Sequence, residues 1–158
     1  MLKRINSSLI ACIIAFSFYG VTAGNNNTLT PAPGNNGKWG FVNRSGHFVI
    51  KPKYDYAFNF SEGLALVYAC NKFGYIDTEG NLLYRRVVFD KAHHFKEGLA
   101  AVAVRVNENI KWGYINATGE MVIKPQFDSA GDFRSGKAEV QLNGKKYFID
   151  KEGIPIDG

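Results

Sequence analysis

Acidic side chains recur along the chain at spacings that could bring two carboxylates together, the arrangement that glycoside hydrolysis uses. Asp55, Asp90 and Asp128 form one set, and Glu62 and Glu97 form a second. Their neighbours recur with them, however, and a residue present in every copy of a repeated segment mostly serves the scaffold. An asymmetric active site should instead lie where the copies differ. We therefore expect these carboxylates to cap turns or to lie at solvated strand ends.

The three histidines are the second group that could do chemistry. His93 and His94 are adjacent, and adjacent residues on an extended segment point to opposite sides, so they rarely bind one metal ion together. His47 completes the set, and no spacing of Cys or His resembles a zinc site. The sequence also lacks a Gly-x-Ser-x-Gly motif and a glycine-rich phosphate loop. We therefore predict no catalytic residue, no metal and no cofactor, and we expect the histidine pair on a surface connector.

Basic and aromatic side chains distinguish the middle of the chain. Exposed rings could stack on sugars or fill a groove in a partner protein. A basic cluster could bind an anionic polymer, although solvated charge is the simpler explanation; it comprises Lys51, Lys53, Arg85, Arg86 and Lys91. The candidate ligand or partner surface consists of residues at which the repeated segments differ: Tyr56, Phe58, Tyr84, Arg85, Arg86, His93 and His94.

These side chains belong to a segment that occurs three times and then in part. The units begin at Lys38, Lys72 and Lys111, and a partial fourth unit begins at Lys145. Each unit of a repeat array buries its apolar surface against its neighbours, so the repeat takes precedence over single motifs. The alignment predicts about three and a half copies of an antiparallel β-meander. It leaves open whether the copies form an open stack or a closed, propeller-like ring.

Every unit contains a four-residue segment that begins with Asn or Asp and ends with glycine, as in Asn43–Gly46. This pattern is typical of a type I turn followed by a glycine in the left-handed conformation, which joins two antiparallel strands. The flanking strands predicted in this way are Trp39–Val42 and Phe48–Ile50, Phe73–Ile76 and Leu82–Tyr84, and Trp112–Ile115 and Met121–Ile123.

A further strand follows in each unit, at Leu64–Ala69, Leu99–Val104 and Lys137–Leu142. The second, fourth and sixth residues are apolar in all three copies, and this period of two predicts one face that is always buried. The other face becomes polar only in the last copy, at Lys137 and Glu139, as expected for the end of a stack. Helical periodicity is absent. The predicted fold class is all-β.

A connector between the hairpin and this strand repeats an aromatic residue, an Asp, an Ala and a Phe in register. We expect Phe60, Phe95 and Phe133 to fill the interfaces between neighbouring units, and the Asp to cap a turn through its side-chain oxygen. Pro52 and Pro125 are expected just beyond the second strand of their units, where the missing backbone N–H is tolerated.

The repeated pattern resembles the bacterial WG-repeat family, which is named for a Trp-Gly pair followed by a turn glycine and a later Glu-Gly-Leu-Ala element. The pair is present as Trp39-Gly40 and Trp112-Gly113 and changes to Phe73-Gly74 in the second unit. The later element lies at Glu62–Ala65 and Glu97–Ala100. The resemblance covers nearly all of the chain after residue 37. It implies a β-repeat module without defined catalytic residues.

Residues 1–23 have the features of a secretory signal peptide. Lys3 and Arg4 form a positive start, Leu9–Val21 is nearly all apolar, and Val21-Thr22-Ala23 is a small-residue cleavage site. Two alternatives remain open. One is an uncleaved anchor, for which the apolar run is short; the other is a lipoprotein, with lipid attached to Cys12.

The remaining chain divides into a predicted flexible tether, residues 24–37, and a repeat domain, residues 38–158. Loss of Lys3 and Arg4 would lower the net charge from +5 to +3. Together with export, this small charge argues against nucleic-acid binding. Cys70 would be the one cysteine of the exported chain. It is expected as a half-buried thiol in a strand, although an odd thiol can also pair between molecules.

These observations favour an exported, periplasmic or secreted repeat module that is not an enzyme and has no stable membrane span. The expected partner is a protein or a cell-envelope polysaccharide. One alternative is a small hydrolase of envelope polymers with an unrecognised site around His93, His94 and Arg85–Arg86. Another is a purely structural component of the envelope.

Overall fold

The computed structural model describes residues 28–84 and 88–156, which form fourteen β-strands and, within these ranges, no helix. All pairings between the strands are antiparallel. The strands are β1 Thr30–Pro33, β2 Trp39–Val42, β3 Phe48–Tyr54, β4 Tyr56–Ser61, β5 Leu64–Ala69, β6 Lys72–Ile76, β7 Lys91–Ala92, β8 Leu99–Val106, β9 Asn109–Asn116, β10 Met121–Phe127, β11 Ser129–Ala130, β12 Ala138–Leu142, β13 Lys145–Ile149 and β14 Pro155–Ile156.

The strands form four small sheets in chain order. Sheet 1 contains β1, β2 and β3, sheet 2 contains β4, β5 and β6, sheet 3 contains β7 to β10, and sheet 4 contains β11 to β14. Each sheet is a meander in which strands that are consecutive in the chain are neighbours in space. The predicted all-β repeat array is confirmed.

Alternation along the central strands builds the cores between consecutive sheets. In β5, Ala65 and Val67 pack into the core shared with sheet 1, whereas Leu64 and Leu66 pack into the core shared with sheet 3. Strand β8 divides its side chains in the same way between sheets 2 and 4. Since these strands are buried on both faces, sheets 2 and 3 are each stabilised by the sheet before and the sheet after.

The array is open at its last sheet. Ala138 and Val140 of β12 face the core shared with sheet 3, whereas Glu139 is exposed. On this outer side, Lys146 pairs with Glu139 at 3.0 Å, and the Lys137 ammonium lies 4.7 Å from the centre of the Phe148 ring. In the described part of the chain, the cores join only consecutive sheets, and none joins sheet 1 to sheet 4. The fold is therefore an open stack with a polar end.

The predicted Asn/Asp-to-Gly turns are confirmed in all four units. Asn43 Oδ1 accepts hydrogen bonds from the N–H groups of Ser45 and His47, both at 3.0 Å, and Gly46 has a φ of 78°. In two later turns, a Cβ on Gly80 would lie 3.3 Å from the side chain of Ile50, and a Cβ on Gly153 would lie 3.3 Å from that of Ile123. The turn of one sheet therefore packs on the sheet before it.

The Trp-Gly glycines lie where two strands approach closely. A Cβ on Gly113 would be 2.3 Å from the backbone oxygen of Ile123, and a Cβ on Gly40 would be 2.3 Å from that of Ile50. In both hairpins the strand register shifts at this place. Glycine is required here by lack of space rather than by its backbone dihedral angles. A side chain at this position could be accommodated only if the backbone of the neighbouring strand moved, which is costly.

The amino-terminal boundary of the repeat domain was predicted too late in the chain. Residues 24–37 were expected to be a tether, but Thr30–Pro33 pairs with β2, and Leu29 is buried in the core between sheets 1 and 2. The strand β1 takes the place that β5 and β8 take in the next two sheets. The prediction failed because the Pro-rich segment Thr30–Pro33 resembles a linker. As an edge strand, however, it needs few backbone N–H donors, so its prolines are tolerated. The predicted signal peptide lies outside the described residues.

Several local predictions also need correction. The expected connector at Tyr56–Ser61 is strand β4, the edge of sheet 2. Pro52 and Pro125 lie inside the edge strands β3 and β10, at register shifts where no donor is needed. Cys70 is exposed in the turn after β5, with a φ of 52°, and is not a half-buried strand residue. The expected strand Leu82–Tyr84 reduces to a single bridge, formed by Leu82 with Ile76.

Tyr54 gives a stability prediction. Its side chain is wholly buried, and its hydroxyl has no hydrogen-bond partner among the described residues. The equivalent residues of the next two units are phenylalanines. We expect Tyr54→Phe to raise the free energy of unfolding by about 1 kcal/mol, because it removes an unsatisfied polar group from the core. Chemical denaturation of the two proteins would measure the difference.

The matched control for this prediction is Tyr75→Phe. The Tyr75 hydroxyl is also buried, but it donates a hydrogen bond to the backbone oxygen of His93 at 2.6 Å. Its removal should lower the free energy of unfolding by about 1 kcal/mol. Equal effects of both substitutions would show that stability does not depend on whether the buried hydroxyl has a hydrogen-bond partner.

Candidate functional site

Four rings form a continuous line across the first three sheets. Trp39 and Tyr56 have ring centres 4.8 Å apart, Tyr56 and Phe58 are separated by 4.9 Å, and Phe58 and His94 by 5.4 Å. We call Trp39, Tyr56, Phe58 and His94 the aromatic row. Tyr56 is 45% exposed, and the other three side chains are half-buried, with Trp39 packed against the core between sheets 1 and 2 and Phe58 against the core between sheets 2 and 3. The row therefore presents ring surface to solvent on a fixed support.

The scaffold positions each ring of the row. Trp39 begins β2 in sheet 1 and is held opposite Tyr54. Tyr56 begins β4, the edge strand of sheet 2, and Phe58 lies two residues further along it. His94 follows β7 at the edge of sheet 3. Because the rings are distributed over three sheets, the stacking of the sheets sets the distances within the row.

A second contact continues the line toward sheet 4. The Nδ1 atom of His93 lies 2.9 Å from a carboxylate oxygen of Asp132, and the His93 ring is 4.9 Å from Trp112. Phe58 and His93 occupy equivalent positions in the repeat, as do His94 and Asp132. The same contact between neighbouring sheets is thus made twice, once by two rings and once by an imidazole and a carboxylate.

The electrostatics of the two histidines differ. Burial lowers the pKa of His94, and the charge of Lys96 lowers it further, while Asp132 acts in the opposite direction. This shift favours the neutral imidazole, in which one ring nitrogen donates and the other accepts. Asp132 supplies an acceptor beside His93. Together with the rings, these groups can stack on a flat apolar face and hydrogen-bond to hydroxyls at its edge.

The structure brings together only part of the predicted surface. Tyr56, Phe58, His93 and His94 lie along one line, as described above. Tyr84 was expected to be exposed, but it is half-buried in the core between sheets 2 and 3, and its hydroxyl donates to the backbone oxygen of Gly119. Its neighbour Phe89 fixes the ring from the other side. Arg85 and Arg86 lie outside the described residues.

Two of the three repeated Asp residues, Asp55 and Asp128, cap turns as predicted. Asp55 accepts a hydrogen bond from the N–H of Cys70 at 3.2 Å, and Asp128 accepts one from the N–H of Asn143 at 2.8 Å. Each repeated Asp also pairs with a lysine that the sequence analysis gave no role; the pairs are Lys38–Asp55, Lys72–Asp90 and Lys111–Asp128. The sequence contained a signal for these ion pairs, since every unit begins with a lysine.

The repeated Glu residues link neighbouring sheets. The Glu62 carboxylate accepts hydrogen bonds from the N–H groups of Glu97 and Gly98, at 2.7 and 2.8 Å. The Glu97 carboxylate accepts from Ser135 and Gly136, at 2.6 and 2.9 Å. We call this series the glutamate ladder. Ser135 stands where a third glutamate would be, so the ladder ends at sheet 4.

These contacts predict acid sensitivity. Lysine hydrogen bonds lower the pKa of Asp55 and Asp128, and the backbone N–H of Gly136 lowers that of Glu97. Because the folded pKa values lie below the unfolded ones, the stabilisation is complete above about pH 4 and is lost as the pH falls through the folded values. In a low-salt buffer, the melting temperature should therefore decrease as the pH is lowered below about 4.

Asp128→Asn is the variant that checks this assignment. It should lower the melting temperature at neutral pH and reduce the further loss on acidification. An acid profile identical in slope to that of the unaltered protein would contradict the role given to this carboxylate.

In the part of the chain that the structure describes, no three His, Cys, Asp or Glu side chains are grouped closely enough to hold a metal ion. Over the same residues, no helix has the length and hydropathy needed to cross a membrane.

An open array of antiparallel sheets, with a line of side chains that crosses from sheet to sheet, defines a β-repeat protein. The family model described as WG containing repeat matches three segments of the chain, residues 39–69, 73–105 and 112–145. These segments cover more than half of the sequence, and the chain belongs to the WG-containing repeat family. No curated protein and no solved structure matches it.

Proposed function

We propose that this protein is an exported, non-enzymatic module that binds a cell-envelope polysaccharide along the aromatic row. The observation that carries the proposal is the line of rings from Trp39 to His94, in which Tyr56 is exposed and its neighbours hold it in place. Aromatic rings bury a large area at little cost in side-chain entropy, which suits binding. A partner protein is the second occupant that this surface would fit.

Sugar chemistry is favoured over a purely apolar partner because polar groups flank the rings. Sugars present apolar C–H faces with hydroxyls at their edges, and His94, His93 and Asp132 supply a matching set of donors and acceptors. The row spans three sheets, so it offers contacts to several consecutive sugar units. The export of the module rests on the amino-terminal pattern of residues 1–23.

The test is binding of the purified protein to purified envelope polysaccharides, followed by calorimetry. Tyr56→Ala should weaken binding about tenfold, equivalent to about 1.4 kcal/mol. Phe48→Ala is the matched control, because Phe48 is 40% exposed but lies outside the row. Binding that is equally sensitive to both substitutions, or release of reducing ends from the polymer, would contradict the proposal.

A further inference from the structure

One tight turn occurs at three equivalent positions of the array with nearly the same geometry. It links β4 to β5 at Glu62–Gly63 and recurs at Glu97–Gly98 and Ser135–Gly136. In each, both central residues are left-handed, with φ of 53° and 82°, 54° and 84°, and 52° and 76° in chain order. This is the type I′ hairpin turn. The same pair of left-handed residues also occurs at Cys70–Asn71, Asn107–Glu108 and Asn143–Gly144, so the conformation alone assigns the turn no role.

Two of the three turns bind a carboxylate in the same way. Both central N–H groups point at one glutamate side chain, with four N···O distances between 2.6 and 2.9 Å. These are short, charge-assisted hydrogen bonds. The molecule thus demonstrates twice, with its own residues, that this backbone geometry is a two-donor receptor for a carboxylate.

The first turn has the same backbone and no such ligand in the described chain. Within residues 28–84 and 88–156, no side chain or carbonyl accepts a hydrogen bond from the N–H of Glu62 or Gly63. Both residues are exposed, and a Cβ on Gly63 would meet nothing within 4 Å. The two donors therefore lie in an exposed turn and have no acceptor among the described residues.

The remaining residues of the chain do not supply a side-chain carboxylate. Residues 1–27 contain no Asp or Glu, and residues 85–87 are Arg, Arg and Val. Asp157 directly follows β14 in sheet 4, which is separated from sheet 2 by sheet 3. Two residues reach at most about 7 Å, whereas packed sheets are about 10 Å apart. A carboxylate at this turn must therefore come from outside residues 1–158.

We infer that the Glu62–Gly63 turn is a receptor for a glutamate side chain of a partner protein. Glutamate is the side chain that fills the two equivalent turns. In a second copy of this chain the two glutamates of the ladder are already bound, so they are not the side chains that would fill this turn. The inference does not depend on the aromatic row.

The test is an NMR titration of the ¹⁵N-labelled protein with the blocked peptide Gly-Glu-Gly and, separately, with Gly-Gln-Gly. The amide protons of Glu62 and Gly63 should move downfield and saturate with the glutamate peptide only. The amides of Gly98 and Gly136 serve as internal controls, since their receptors are occupied. Tyr56→Ala should leave these shifts unchanged, which separates this site from the polysaccharide site.

Glu62→Ala extends the test, because it vacates the second receptor. In that variant the amides of Glu97 and Gly98 should also respond to the glutamate peptide. If they respond while those of Glu62 and Gly63 do not, the first turn is no receptor. A response to a galacturonate disaccharide but not to the peptide would overturn the assignment of a protein partner. If the variant fails to fold, the titration of the unaltered protein decides alone.

Discussion

Gly113→Ala is expected to lower the free energy of unfolding by about 3 kcal/mol. The added methyl group would lie 2.3 Å from the backbone oxygen of Ile123 and 2.8 Å from the backbone nitrogen of Pro125. Both neighbours are backbone atoms at a register shift of the β9–β10 hairpin, so no side-chain rotation can relieve the overlap. Urea denaturation monitored by circular dichroism would measure the loss.

Gly37→Ala is the control for this substitution. Gly37 has a φ of 71°, but a Cβ there would meet nothing within 4 Å. Its replacement should cost about 1 kcal/mol, the penalty of a left-handed residue alone. If the two alanine variants were equally stable, close approach would not be the reason for the Trp-Gly glycine.

Phe95→Ala is expected to lower the free energy of unfolding by about 3–5 kcal/mol. Phe95 is 1% exposed and packs with its ring centre 4.9 Å from that of Tyr75, in the core between sheets 2 and 3. The cavity would lie at the middle junction of the stack. Because each sheet depends on its neighbours, we expect the two halves to unfold at different denaturant concentrations.

The two tryptophans report on this separation, since Trp39 lies in sheet 1 and Trp112 in sheet 3. Variants with one tryptophan each, made by changing the other to phenylalanine as at Phe73, would show two distinct transitions in the Phe95→Ala background. Phe48→Ala, at an exposed ring, should change stability by less than about 0.5 kcal/mol. Loss of stability without separation of the transitions would contradict the junction role.

Local sequence patterns were sufficient to predict most of the fold. The period of two in Leu64–Ala69 identified a strand with those bounds, and the change at Lys137 and Glu139 identified the polar end of the stack. The turn glycines were recognised because a left-handed residue has a strong local preference for glycine. Strands β1 and β4 were missed, since edge strands carry weak alternation and Pro31 and Pro33 resemble a linker.

The site was harder to predict than the fold because its contacts lie between sheets. Sequence comparison of the units identified Phe58, His93 and His94 as places where they differ. It could not show that Phe58 meets His94 or that His93 meets Asp132, since these contacts depend on how one sheet is placed on the next. The glutamate ladder was missed for the same reason, because Glu62 and Gly98 are 36 residues apart.

Each repeated unit of the sequence is out of step with the sheets. The first begins with β2 in sheet 1 and continues through β4 and β5 in sheet 2, and the third begins with β9 in sheet 3 and ends in sheet 4. A tandem duplication of one internal unit would therefore insert one whole sheet and leave both terminal sheets unchanged. It would also add one more rung of side chains to the surface line. Proteins of this design can gain length and a further set of surface side chains in a single genetic event, without first evolving new ends.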